Sequence, residues 1–136
     1  MGITVLVVWL VTALLGAFLL TIWLRNGGLR QRDARVTRLP VWLILGHIGL
    51  AVLGLVSWSL FLLGRTAAFG WAAGAVVLIV ATLGLMMLFR WLPSSGRHAH
   101  GEPTAEGHFP ATAVIAHGAC AVVTVLLVVA AVSRTV

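Results

Sequence analysis

Four long apolar stretches determine what this chain can fold into. They cover approximately residues 3–24, 41–63, 67–92 and 109–133. Each is long enough to cross the hydrocarbon core of a bilayer, which takes about 20 helical residues. Because lipid offers no hydrogen-bond partner to an exposed backbone, each span must be a helix. The sequence therefore predicts an all-α fold, a four-helix transmembrane bundle in which residues 1–136 form a single integral membrane domain.

The composition excludes a water-soluble enzyme. Hydrophobic residues make up 61% of the chain and charged residues 9%, whereas soluble domains carry about 25% charged residues. The single cysteine rules out an intramolecular disulfide, and no CxxCH motif is present for covalent haem attachment. The acids are Asp33, Glu102 and Glu106, all in connections, so the spans hold no nucleophile–base–acid constellation. A folded basic surface for nucleic acid is not available either.

The basic residues predict the orientation of the bundle, and all nine are arginines. The first connection holds Arg25, Arg30, Arg32, Arg35 and Arg38, the third adds Arg90 and Arg97, and the opposite side has Arg65 and Arg134. Because basic residues collect on the cytoplasmic side, we expect both termini to be outside. The preference for Arg, Ala, Val and Gly is typical of high-GC bacteria, which favours a multi-pass protein of the inner (plasma) membrane.

Spans two and four share an internal repeat at a constant offset of seventy residues. Residues 39–52 (LPVWLILGHIGLAV) align with residues 109–122 (FPATAVIAHGACAV). The aligned pairs include a proline pair and a histidine pair, Pro40 with Pro110 and His47 with His117. Spans one and three match only weakly at this offset. The repeat predicts two parallel-repeat hairpins related by a pseudo-twofold axis along the membrane normal.

The repeat also places the two histidines at one depth in the membrane. Each follows the proline of its span by seven residues, which is about 10 Å along a helix. The antiparallel spans reach the same depth near Gly16 and Gly84. Further glycines flank the histidines within their own spans, namely Gly46, Gly49 and Gly118. We therefore expect His47 and His117 to share one site inside the hydrocarbon, surrounded by small residues.

An ionisable residue within a span is costly and is functional by default. One isolated histidine is more often a neutral side chain that hydrogen-bonds a neighbouring helix, but two at matched positions favour a cofactor. Haem b fits best, because its iron accepts two axial imidazoles and its flat macrocycle requires small residues where it meets helices. The hypothesis assigns iron ligation to His47 and His117. It places Gly16 and Gly84 in the cofactor site.

The propionates of a haem would need cations or water at the membrane interface. Three basic residues lie at the corresponding level, namely Arg38, Arg90 and His108. Arg38 and His108 are themselves related by the offset of seventy residues. The alternative for the two arginines is that they only set the topology of the chain.

The four spans with His47 and His117 resemble the small b-type membrane cytochromes, as in cytochrome b561 proteins or the succinate dehydrogenase anchors. The resemblance implies a bundle that holds haem between histidines on two helices. Cytochrome b561 proteins carry two haems on opposite sides, but the outer half of this chain has no histidine. We therefore expect one bis-histidine haem near the cytoplasmic side, in a non-catalytic electron-transfer subunit of an oxidoreductase complex. Its expected partners are membrane lipid and other redox subunits or quinone.

Two other functions stay open. The connection before span four contains five potential metal ligands, His98, His100, Glu102, Glu106 and His108. They would suit a small metal-ion transporter or sensor, although their spacing matches no tight zinc pattern and the Gly, Pro and Ser content is typical of a flexible polar loop. In the second alternative the chain is a haem-free accessory or scaffold subunit. Cys120 is assigned no ligand role, since buried cysteine is usually an apolar filler.

Overall fold

Four membrane-length helices make up nearly all of the computed structural model, which describes residues 1–30, 36–64, 66–92 and 104–134. Helix α1 spans Gly2–Arg25, α2 Val41–Gly64, α3 Ala67–Trp91 and α4 Ala111–Val132. A short 3₁₀ helix at Ala105–His108 precedes α4. The predicted all-α four-helix bundle is confirmed, and the fourth helix begins two residues later than predicted because Pro110 is its N-cap.

All four helices are long and apolar enough to cross a membrane. Their outward faces are apolar as well, with Leu14 70% and Leu63 84% exposed. In water such a surface would drive aggregation, whereas lipid tails solvate it. The chain is therefore a multi-pass membrane protein.

The helices form a ring in chain order. The most extensive contacts join α2 to α3 and α1 to α4, followed by α3 to α4, while α1 and α2 share the fewest. Helices α2 and α4, which carry the two histidines, consequently lie diagonally across the bundle. We call the end with the α1–α2 and α3–α4 connections the loop end, and the end with both chain termini the terminus end.

Two apolar clusters lie on either side of the histidines along the bundle axis. The cluster toward the terminus end is built from Val5, Trp9, Trp58, Ala73, Val77, Val128 and Val132. The cluster at the loop end contains Trp23, Leu39, Ile44 and Ala105. These clusters leave the intervening layer to the polar groups around His47 and His117.

The duplication extends over all four helices, but α1 and α3 correspond at an offset of 68 residues rather than seventy. At this offset two glycines and one tryptophan of α1 align with the same residue types in α3, namely Gly2 with Gly70, Gly16 with Gly84 and Trp23 with Trp91. The buried positions coincide as well, Val5 with Ala73, Trp9 with Val77 and Thr12 with Val80. Measured between matched positions, the third connection, between α3 and α4, is therefore two residues longer than the first. This is why spans one and three match weakly at the offset of seventy.

Candidate cofactor site between two histidines

The structure brings the two intramembrane histidines together, as the repeat predicts. His47 on α2 and His117 on α4 have ring centroids 6.3 Å apart and ring planes inclined by 63°. Both side chains are partly buried. Because α2 and α4 are diagonal neighbours, the two imidazoles meet at the centre of the bundle instead of within one helix–helix interface.

Each imidazole is held by a backbone carbonyl of the adjacent helix. Nδ1 of His47 lies 3.1 Å from the carbonyl oxygen of Val80 on α3. Nδ1 of His117 lies 3.0 Å from the carbonyl oxygen of Thr12 on α1. A carbonyl can only accept a hydrogen bond, so Nδ1–H is the donor in both cases and the neutral ring keeps its lone pair on Nε2. Among the described residues these carbonyls are the only hydrogen-bond partners of the two rings, so both Nε2 atoms are available as ligands.

Gly16 and Gly84 make these two hydrogen bonds possible. Gly16 follows Thr12 by four residues, and Gly84 follows Val80 by the same number. In a helix the Cβ of a residue points back toward the carbonyl one turn earlier. A glycine therefore leaves that carbonyl uncovered, and the imidazole from the neighbouring helix can reach it.

Gly16 and Gly84 lie close to the two imidazole rings. A Cβ built on Gly16 would lie 3.0 Å from Cε1 and 3.5 Å from Nδ1 of His117. A Cβ on Gly84 would lie 3.3 Å from Cε1 and 3.8 Å from Nδ1 of His47. Both glycines thus belong to the histidine site, where they admit the imidazole edges to the helix backbone.

The other glycines near the histidines are not packed against a neighbouring helix. A Cβ added to Gly46, Gly49 or Gly118 would meet nothing within 4 Å. That these three glycines surround a bound cofactor stays a prediction. They follow or precede a histidine by one or two residues, and at 3.6 residues per turn such neighbours point away from its face of the helix.

The separation of the two ring centroids matches that of two imidazoles bound to one metal, and the two histidines are the potential ligands at this site. Two metal–nitrogen bonds of about 2 Å each, together with the distance from each nitrogen to its ring centroid, would separate the two centroids by about 6 Å. The observed separation of the centroids is 6.3 Å. Among the described residues no three His, Cys, Asp or Glu side chains form a group that could hold a metal ion. A bare zinc ion takes four ligands, whereas a haem iron brings four nitrogens of its own and needs only two from the protein. The residues present therefore fit haem better than a bare ion.

The two histidines differ in what lies next to them toward the terminus end. Beside His117, the buried hydroxyls of Thr12 and Thr124 are 3.2 Å apart. Each also donates to the carbonyl one turn earlier in its own helix, Val8 at 2.9 Å and Cys120 at 2.8 Å. The positions that correspond to Thr12 and Thr124 beside His47 are Val80 and Gly54, which carry no hydroxyl. His117 therefore lies next to two hydroxyl groups, whereas the corresponding positions next to His47 carry none.

At the loop end, a buried glutamate joins the two connections. Glu106 is 0% exposed; its Oε1 accepts the backbone N–H of Arg38 and its Oε2 accepts the Thr37 hydroxyl, both at 2.7 Å. The Thr37 hydroxyl in turn accepts the indole N–H of Trp23 at 3.0 Å. The indole N–H of Trp91 donates to the Glu106 backbone carbonyl at 3.1 Å. The corresponding tryptophans of the two repeats thus anchor the same cluster.

Sequence reasoning missed this cluster. The interpretation of the third connection as a flexible polar loop is wrong for residues 104–108, because Ala105–His108 form a 3₁₀ helix in which Ala105 and Glu106 are buried. The backbone N–H of Ala105 also donates to the carbonyl of Val36 at 2.7 Å. The other potential metal ligands of this connection, His98, His100 and Glu102, lie outside the described residues. A signal was available in the repeated tryptophans, whose indole N–H groups require acceptors at the membrane interface.

The three residues predicted for the haem propionates all lie at the loop end with exposed side chains. A guanidinium nitrogen of Arg90 donates to the backbone carbonyl of Arg38 at 3.4 Å. Nδ1 of His108 lies 3.1 Å from the carbonyl of Thr104 within its own connection. Their role toward a cofactor stays a prediction.

Comparison with known proteins provides no further assignment: no family model, no curated protein and no solved structure matches this chain.

Proposed function

We propose that this protein is a small b-type membrane cytochrome that binds one haem between His47 and His117 and transfers electrons. The observation that carries the proposal is the pair of matched imidazoles, 6.3 Å apart at the centre of the bundle. Each donates Nδ1–H to a carbonyl and has a free Nε2 lone pair. Metal-ligating histidines usually donate their other ring N–H to a carbonyl or carboxylate in this way, which fixes the tautomer and orients the ring.

The chemistry supplied by the bound haem is one-electron oxidation and reduction. The residues of the protein contribute ligand orientation, exclusion of water and neutralisation of charge. Its carbonyls at Thr12 and Val80 orient the ligand imidazoles, and the two apolar clusters exclude water from both sides of the site. Arg38, Arg90 and His108 at the loop end are the residues that would neutralise the propionates.

The arginine distribution supports an orientation in which the loop end faces the cytoplasm, with both termini outside the inner membrane. The histidines would then lie in the inner half of the bilayer. An electron donor or acceptor on that side, a redox subunit or a quinone, would complete the path. A single haem would not carry electrons across the whole membrane, so the protein would act within or beside a larger complex.

A second candidate function rests on the same hydrogen bonds. The His47–Val80 bond ties α2 to α3, and the His117–Thr12 bond ties α4 to α1. Such bonds can serve helix association alone. The protein would then be a haem-free accessory subunit, and the histidines would contribute to assembly without binding a cofactor.

The first test is a visible absorption spectrum of the detergent-purified protein, oxidised and then reduced with dithionite. It is compared with a His47→Leu/His117→Leu double variant whose helical content is checked by circular dichroism. A Soret band with split reduced α and β bands, absent from a folded double variant, is the expected result. A colourless wild-type protein from haem-replete cells would overturn the proposal, and metal analysis of that sample would then separate a metal-ion carrier from an accessory subunit.

A further inference from the structure

A cavity at the terminus end lies away from the histidine site and has no role in the proposed function. Its volume is about 510 Å³, and it is lined by Met1, Gly2, Ile3, Phe61 and Leu62. These residues come from the first turn of α1 and the last turn of α2, the pair of adjacent helices with the fewest mutual contacts. The volume falls within the range of small-molecule sites, about 300–1,000 Å³.

Trp58 contacts two of the residues that line the cavity. The indole N–H of Trp58 donates to the Gly2 carbonyl at 3.1 Å, and the Trp58 ring packs on Phe61 with centroids 5.1 Å apart. In the other repeat, the residue that corresponds to Gly2 is Gly70, which is buried against Phe61. The space beside the position that corresponds to Gly2 is therefore occupied by the Phe61 ring in the other repeat.

The chemistry of the walls and rim indicates the kind of occupant. The lining side chains are apolar and the helices cross a membrane, so an acyl chain is the matching component of the surroundings. At the rim, a guanidinium nitrogen of Arg134 lies 3.2 Å from the Met1 sulfur, with the side chain exposed. The described residues 1–30, 36–64, 66–92 and 104–134 include no acid at this end that would neutralise Arg134.

We propose that this cavity is a binding site for an anionic phospholipid of the terminus-end leaflet. One acyl chain fills the space between Ile3 and Leu62, and the phosphate interacts with Arg134. The site does not depend on haem binding. It would place a structural lipid between α1 and α2, the adjacent helices with the fewest mutual contacts.

The test uses native mass spectrometry of the delipidated full-length protein in detergent, titrated with phosphatidylglycerol or phosphatidylcholine. Wild-type protein is expected to bind phosphatidylglycerol about fivefold more tightly, as one surface arginine contributes about 1 kcal/mol toward an anionic lipid. Arg134→Gln should remove this preference. Arg25→Gln, which changes an exposed arginine at the loop end, should retain it. A preference that survives in Arg134→Gln would overturn the proposed headgroup contact.

A cavity-filling pair tests the acyl-chain position. Ile3→Trp places a large side chain in the cavity, whereas Leu14→Trp makes the same change on the same helix at an equally exposed position, since the two residues are 73% and 70% exposed. We expect Ile3→Trp to weaken binding of both lipids at least tenfold and Leu14→Trp to leave it unchanged. Equal affinities for the two variants would overturn the proposal. So would a wild-type dimer that Ile3→Trp dissociates, because the cavity would then be an interface between two copies.

Discussion

The two histidine interfaces, α2 with α3 and α1 with α4, are built from the same three components. In each, a histidine on one helix donates Nδ1–H to a carbonyl of the adjacent helix. In each, the residue four positions after that carbonyl is a glycine that admits the ring, Gly84 in one case and Gly16 in the other. The geometry of imidazole orientation is therefore the same in both halves of the molecule.

The surroundings of the two histidines differ. The α1–α4 interface contains the Thr12–Thr124 hydroxyl pair, whereas the corresponding positions at the α2–α3 interface are Val80 and Gly54. The space left by Gly54 is filled by Trp9, whose ring lies 2.9 Å from the position of a Cβ there. The two halves thus share how they hold the imidazoles and differ in how they pack beyond them. This contrast can be tested from each side.

The largest effect is expected from removing either histidine alone. His47→Leu and His117→Leu should each abolish the six-coordinate reduced spectrum, because one imidazole cannot supply both axial ligands. Absorption spectra of the two single variants measure this directly. Leu45→Ala, at an exposed leucine on α2, should keep the wild-type spectrum. Six-coordinate spectra that persist in one single variant but not in the other would show that the two histidines are not a ligand pair.

The next largest effect concerns Glu106, which has no counterpart in the other repeat, where the matching residue is Val36. Glu106→Leu leaves the Arg38 N–H and the Thr37 hydroxyl without their buried acceptor. At about 1–3 kcal/mol for each unsatisfied group, we expect the free energy of unfolding in mixed detergent micelles to fall by about 3 kcal/mol. Glu106→Gln keeps an acceptor oxygen and should lose less than half as much. Equal losses in the two variants would mean that the hydrogen bonds do not stabilise the loop end.

The glycines allow the two interfaces to be compared directly. Gly16→Ala and Gly84→Ala should each displace the imidazole from its carbonyl, and haem affinity should fall by about 10- to 100-fold, as for other residues that orient a metal ligand. The effect should be larger for Gly16, because its added Cβ lies 3.0 Å from the ring against 3.3 Å for Gly84. Haem titration gives the affinity, and the midpoint potential reports the changed hydrogen bond.

Matched controls for the glycine variants are present in the same helices as the histidines. Gly46→Ala and Gly118→Ala add a Cβ that meets no atom of another helix within 4 Å. They should therefore leave haem affinity and midpoint potential unchanged. If they weaken haem binding as much as Gly16→Ala does, the effect of the glycines would be on the helices in general and not on imidazole orientation.

Much of this architecture could be predicted from the sequence because it depends on local properties. Span length and hydropathy determine the four helices, and the offset of seventy residues matches the prolines and histidines of α2 and α4. The relation of α1 to α3 was harder to find, because a length difference of two residues between the connections shifts its offset to 68. Comparing glycine and tryptophan positions at each offset would have shown it.

The loop-end cluster illustrates what the sequence could not provide. Thr37 and Glu106 are 69 residues apart in the chain, and they meet because the first and third connections lie at the same end of the bundle. A glutamate in a polar connection, such as Glu106, is ordinarily solvated. Its burial follows from tertiary contacts with Trp23 and Trp91, which neither periodicity nor composition predicts.

The smallest expected effect concerns the hydroxyl pair that distinguishes the two halves. Hydrogen bonds between membrane helices contribute on average about 0.6 kcal/mol, so Thr12→Val or Thr124→Val should reduce the free energy of unfolding by about that amount. The two hydroxyl groups have two protons, but they take part in three contacts, one to each carbonyl and one between the two oxygens. One of these contacts therefore always lacks a proton. The loss of unfolding free energy in the double variant should be no larger than the sum of the losses in the two single variants. The Thr12→Val change also makes the α1–α4 interface resemble the α2–α3 interface. If the midpoint potential of the haem then stays constant, the polar layer serves packing; if it shifts, the hydroxyls tune His117, and the two imidazoles are inequivalent ligands despite their matched geometry.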